Sequence, residues 1–213
     1  MLTALADGRA LPAGELARRA GVTPATATAH LRRLVDGGLI RVRVQGRHRY
    51  HQLAGPHVGA VLEALAQVAP AVPVRSLREH GDASALAEAR TCYDHLAGRR
   101  GVELRERLLA VGALHTNDGR DHTLTPAGEA LLAAMDVDLD QLRSSRRMFA
   151  RSCLDWTQRR SHLAGALPAA LTSAFLTTGW LKRRPGRGLH VAPDYDQQLD
   201  CWLTHNTVKN RSR

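Results

Sequence analysis

The chain has 213 residues, enough for one large core or two small ones, with a net charge of +10 and only 4% aromatic residues. The charge suits a polyanionic partner, and any core has to rest on Leu, Ala and Val. No apolar run approaches the ~18 residues that span a bilayer, which excludes a membrane protein, and an odd number of cysteines without a signal peptide predicts reduced thiols in the cytoplasm.

Met1–Ala6 reads as the last turns of a helix that is either short or begins upstream of Met1. Glu15–Ala20 is expected to be a short helix with Leu16 and Ala17 inward, and Gly21 supplies a turn at which a residue without Cβ accepts positive φ. Thr23 caps a second helix, with Pro24 at its first position, where a missing N–H costs nothing. Ala27, Leu31 and Leu34 recur at helical spacing, so Thr26, Thr28, His30, Arg32 and Arg33 turn outward or to the flanks.

Gly37-Gly38 ends that helix, and Leu39–Val44 alternates apolar and basic residues with the period of a half-exposed strand. Gln45-Gly46-Arg47 turns the chain and Arg47–Leu53 returns, completing a wing. Residues 15–49 hold eight arginines against Glu15 and Asp36, a balance that neutralises phosphates and makes affinity fall with salt. The expected partner is double-stranded DNA. Thr26, Thr28 and His30 are placed at base edges and Arg32, Arg33, Arg47 and Arg49 at phosphates, with Thr23, Pro24, Arg43, Gln45 and His48 completing the face. The competing reading is a small winged domain with a solvated basic surface.

This segment resembles the ArsR-type winged-helix repressors, through Glu15–Val22, Ala29–Leu34, Gly37–Ile40 and Gly46–Leu53, over about the first 70 residues. The resemblance implies a homodimeric repressor on a pseudo-palindromic operator, its DNA affinity biased by a small effector, often a metal ion. The family's usual metal sites do not map. The first helix carries Leu16, Ala17 and Ala20 rather than a cysteine pair, and the helix after the wing offers only His57 and Glu63. That helix bears an apolar stripe at Val58, Val61, Leu62, Leu65 and Val68. By resemblance Val58, Val61, Leu62 and Leu65 form a dimer interface; packing within its own domain is the alternative.

The expected organisation is a winged helix-turn-helix over residues 1–70, a linker over 71–84 and a C-terminal domain over 85–213. Within that domain His95–Leu114 aligns without gaps on His162–Leu181, and Thr123–Ala127 on His190–Asp194. Two helix-and-wing repeats follow, at about 85–148 and 149–213, so the fold class is mainly α with small β-hairpins (α+β). Acids at Glu103, Glu106, Asp118 and Asp121 spoil the second copy as a DNA reader, and the third shows Ala169, Ala170, Ser173 and Ala174 where long polar side chains are wanted. The pair is expected to sense or assemble, and the basic loop Lys182–Arg187 either touches flanking phosphate or is a solvated turn.

Cys92 and His95 lie three apart, on one face if that segment is helical, and Cys153 and His162 stand at the start of the next copy. Should a pseudo-twofold axis bring the two His-Leu-Ala-Gly starts together, the four would suit a tetrahedral soft-metal site, or the two thiols a redox pair. Core packing is the leading alternative, with an organic effector beside Trp156 and Tyr93 another; no metal is required by the sequence. Cys201, before Trp202 and Leu203, reads as core. Asp94 and Asp155 invite an acid/base reading, but no phosphate loop, His-Glu-x-x-His pair or nucleophile elbow supports an enzyme. Their i, i+4 neighbours Arg90 and Arg159 suggest ion pairs instead. An RNA-binding or pure assembly module is the remaining alternative.

Overall fold

A computed structural model describes residues 1–69, 76–116 and 118–204, with the side chains of 77–79 excepted. They belong to two compact units, the first drawn from 1–70 and 91–94 and the second from 71–90 and 95–213.

In the first unit α1 (Leu2–Leu5) precedes β1 (Leu11–Pro12), α2 (Ala13–Ala20), α3 (Pro24–Asp36), β2 (Ile40–Gln45), β3 (His48–Leu53) and α4 (Pro56–Val68). Gly21 takes φ +64° and receives the end of α2, and Thr23 Oγ1 accepts the Thr26 N–H at 3.2 Å to start α3. The wing pairs antiparallel from Ile40 opposite Leu53 to Gln45 opposite His48. Gly46, at φ +58°, leads its two-residue turn. A third strand, β1, pairs Leu11 with His51 on the other edge of β3. Two residues are too few to show alternation, so sequence patterning does not reveal it. Leu5, Leu16, Leu31, Ile40, Leu53 and Val58 form the core, and Tyr93 joins the unit by donating its N–H to the Ala6 carbonyl.

Val58 corrects the expected dimer face. Its side chain is buried in the unit's own core, and Leu62 packs partly against the same cluster. Val61, Leu65 and Val68 remain outside, at 57%, 56% and 80% exposure.

Beyond the first unit come α5 (Leu77–Glu88), β4 (Arg90–Cys92), β5 (His95–Ala97), α6 (Arg99–Ala110), β6 (Leu114–Thr116), β7 (His122–Leu124), α7 (Pro126–Ala133) and α8 (Leu139–Ser144). The order resumes with β8 (Arg151–Leu154), β9 (Ser161–Ala164), α9 (Ala166–Thr177), β10 (Leu181–Arg183), β11 (Leu189–Val191) and α10 (Tyr195–Thr204). Of the expected linker, 71–75 lies outside the described residues and most of 76–84 is helix α5. The polar run with Gly81 hides that helix, although Leu, Glu and Ala are good helix formers.

The strands, helix and hairpin recur with one spacing. Helices α6 and α9, and the strand pairs β6/β10 and β7/β11, begin and end 67 residues apart. Each copy opens on a hairpin, so the segments around Cys92–His95 and Cys153–His162 are strands rather than the helix that an i, i+3 face required. The residues of β4 and β5 are buried in runs, which removes the alternation that identifies a strand.

Packing in the second unit is reciprocal. Helix α6 lies on β9 and α9 on β5, and the Leu96 N–H donates to Thr172 Oγ1 at 2.8 Å. One core therefore serves both copies, joining Leu96, Leu104, Leu108, Leu163, Leu167 and Leu171 to an aromatic cluster. In that cluster Phe175 stacks on Trp180 at 4.9 Å and meets Tyr195 and Trp202 edge-on. Cys201 is exposed, correcting its assignment to the core, because α10 turns Leu199, Trp202 and Leu203 inward.

Candidate nucleic-acid interface and a buried cysteine–histidine cluster

Helix α3 buries Ala27 and Leu31 beneath it, half-buries Leu34, and leaves Thr23, Pro24, Thr26, Thr28, His30, Arg32 and Arg33 exposed. On the wing Arg43, Gln45, Arg47, His48 and Arg49 are exposed as well. The two hydroxyls expected at base edges are partly engaged within the helix: Thr28 Oγ1 donates to the Pro24 carbonyl at 2.9 Å and Thr26 Oγ1 lies 2.9 Å from Thr23 Oγ1. Each retains acceptor capacity, the role an amino group on a base edge requires. Arg32 reaches Asp36 only at 4.0 Å, with both side chains in solvent, so the pair does little to hold the guanidinium away from a phosphate. Beneath the wing, burial pushes the His51 pKa down; the Leu11 backbone raises it and Arg49 lowers it further.

The hairpins β4–β5 and β8–β9 bring four dispersed sequence positions together. Cys92 and His95 flank the Tyr93–Asp94 turn of the β4–β5 hairpin, with Tyr93 at φ +61°. Cys153 and His162 stand opposite one another across β8 and β9. The rings of His95 and His162 are 5.2 Å apart, and one ligand atom from each of the four residues lies within 4.8 Å of all the others. Cys92, His95 and His162 are buried and Cys153 is half-buried. Gly101 permits this approach: a Cβ there would meet the Leu96 carbonyl at 2.5 Å and the His162 Cβ at 3.3 Å.

Beside the cluster lies a fully buried ion pair that sequence reasoning did not find. Asp155 Oδ2 is 3.0 Å from Arg90, 2.6 Å from the Gly98 N–H that donates to it, and 3.4 Å from His162 Nδ1. Its other oxygen accepts from Thr157. Burial opposes its charge, yet His162, Arg90 and these donors hold the carboxyl well below the usual range. For His162 burial likewise disfavours the charged ring, and Asp155 and the Cys153 sulfur outweigh it and push the pKa up. Arg90 also lies 4.9 Å from the Trp156 ring centre. The expected i, i+4 pairs, Asp94 with Arg90 and Asp155 with Arg159, are not helical; Asp155 takes Arg90 because both start from hairpin strands. Both carboxylate oxygens of Asp155 have partners within the fold.

A helix-turn-helix domain family matches residues 1–43. The chain is also similar to YdfF of Bacillus subtilis (strain 168), described as an uncharacterized HTH-type transcriptional regulator, with 43% identity over 185 residues, 87% of this chain and 81% of the relative. The chain belongs to the HTH-type transcriptional regulators. As a DNA-binding regulator of this family it carries its helix-turn-helix on α2 and α3. The helices in the corresponding place of the C-terminal copies are unlike α3. Helix α9 buries Ala166, Leu167, Pro168, Leu171, Thr172 and Phe175, and in α6 Arg100 is held by Glu88, Glu103 and Asp196. Arg107 pairs with Asp200 in the same way. No helix among the described residues is long and apolar enough to cross a membrane.

Proposed function

We propose that this HTH-type regulator is a cytoplasmic homodimeric repressor that sets α3 in the major groove of each half of a pseudo-palindromic operator, with an effector modulating its affinity. The observation carrying this reading is the joint exposure, on α3 and the wing, of the twelve side chains expected to meet DNA, above a mainly apolar core. Arg47 lies in the wing turn and Arg49 on the strand that follows it, within reach of a backbone that α3 alone does not cover. Pairing through α4 is supported by Val61, Leu65 and Val68, which recur on one helix face with more than half of each side chain exposed.

DNA affinity measured against salt tests the reading. Replacing Arg47 and Arg49 together by Ala removes four arginines from each dimer and is expected to lower the slope of log K against log salt by about 4, at roughly 0.9 per phosphate lost. An unchanged slope removes the wing from the interface. Val61→Glu with Leu65→Glu is expected to yield monomers in sedimentation, and a dimer that persists moves the interface off α4.

A further inference from the structure

We propose that Cys92, His95, Cys153 and His162 form a closed Cys2His2 site for one zinc-class ion per chain. Two thiols and two imidazoles within 4.8 Å are the donor set of a tetrahedral, borderline-soft ion. With bonds of roughly 2.0–2.3 Å, donor atoms of such a site stand about 3.3–3.8 Å apart. Closing the present cluster onto an ion therefore asks each side chain to move by on the order of 1 Å, within the reach of χ rotations.

Charge favours the same ion. Two thiolates and two neutral imidazoles around a divalent cation sum to zero, and the adjoining Arg90–Asp155 pair also sums to zero. The buried assembly therefore carries no uncompensated charge. Asp155 beside His162 Nδ1 leaves Nε2 for the metal, the carboxylate–histidine–metal arrangement that fixes tautomer and ring orientation. Magnesium and calcium ask for oxygen donors, and the one nearby carboxylate is already engaged. Four protein ligands leave no open position, so the ion would be structural and would tie the β4–β5 hairpin to the β8–β9 hairpin.

The full-length chain, purified under reducing conditions, is expected to contain one zinc per chain by elemental analysis. After chelation, one equivalent of Co2+ should give intense tetrahedral d–d bands with a thiolate charge-transfer band, and zinc should abolish both. Ellman's reagent on the native zinc-loaded protein should titrate Cys201 alone, and Cys153 in addition after chelation. Cys153→Ser and His162→Gln are expected to lose the cobalt spectrum and Cys201→Ser to keep it. A wild-type chain that gives no thiolate–cobalt band, or that holds Cys92 and Cys153 as a disulfide under the same reducing conditions, overturns the site. Because the wild-type spectrum and thiol count decide the matter, a misfolded variant does not rescue it.

Discussion

Helix α3 and its C-terminal counterparts α6 and α9 occupy the same place in one repeated order, a helix followed by a short antiparallel hairpin, yet they end in opposite environments. Helix α3 rests Ala27 and Leu31, with Leu34 and Val35 half-buried beside them, on its own unit and gives its other face to solvent. Helix α9 is apolar over most of its circumference and packs on the hairpin of the other copy. A helix that is hydrophobic all round has to be covered. The comparison teaches that the reading role follows from what lies on the outer face of the helix: Thr26, His30 and Arg33 on α3, against Ala169, Ala170 and Ser173 on α9. Helix α6 is intermediate, since its bases exist but are already paired within the unit.

Phe175→Ala offers the largest effect. It empties the centre of the aromatic cluster and is expected to destabilise the second unit by ~3–5 kcal/mol. All three tryptophans belong to that unit, so denaturant unfolding followed by tryptophan fluorescence reads it directly. Arg33→Ala on the exposed face of α3 should leave stability within about 0.5 kcal/mol. Comparable losses in the two variants would erase the contrast between covered and open helices.

Glycines give the next test, with opposite signs in the two units. Gly101→Ala drives a Cβ to 2.5 Å from the Leu96 carbonyl, a backbone obstacle, and is expected to cost about 1–3 kcal/mol. Gly14 in α2 meets nothing closer than the Arg18 side chain at 3.9 Å and lies in helical backbone, so Gly14→Ala should stabilise by ~0.4–1 kcal/mol. A neutral Gly101→Ala, read by thermal or denaturant midpoint, would show that α6 has room to move away from the Leu96 carbonyl.

Two Thr-Pro caps sharpen the comparison at smaller scale. Thr23 opens α3 and Thr125 opens α7, each accepting the N–H three residues on at 3.2 Å. Thr23→Ala is expected to cost ~1 kcal/mol and to weaken DNA binding by fraying the reading helix. Thr125 also donates to the Gly112 carbonyl at 2.7 Å, so Thr125→Ala should cost more and leave DNA affinity unchanged. Circular dichroism and a binding titration on the two variants separate these outcomes.

The parts visible in the sequence are those whose pattern is carried by several residues at once. Thr23-Pro24, the Ala27–Leu31–Leu34 stripe and the alternating Arg41 and Arg43 specify α3 and the wing by independent local rules, and they agree. The 67-residue spacing was legible because one alignment holds over twenty residues. The elements that escaped are short or buried throughout: β1 has two residues, and the strands at Cys92 and His95 are covered on both faces, so their spacing imitates a helix turn. The meeting of Cys92, His95, Cys153 and His162 could be named from the repeat but only as a condition. What satisfies it, the crossing of each helix onto the other copy's hairpin and the Gly101 gap that admits it, depends on long-range packing that no local spacing encodes. The Arg90–Asp155 pair is of the same kind, since its partners are 65 residues apart.

The basic turn Lys182–Arg187 is where the comparison predicts the smallest change. Lys182 and Arg183 are exposed on the hairpin β10–β11, which stands to α9 as the wing stands to α3. A wing contributes phosphate contacts when its helix is anchored in the adjacent groove, because the helix fixes the register that brings the hairpin onto the backbone. Helix α9 is inside the core and cannot supply that anchor. Lys182→Ala with Arg183→Ala should therefore leave the salt slope of operator binding unaltered, whereas the two-arginine change on the first wing of each protomer lowers it by about 4. A slope that falls by a similar amount in both double variants would mean that the C-terminal hairpin grips DNA without its helix, and exposure of the helix would no longer decide which copy reads.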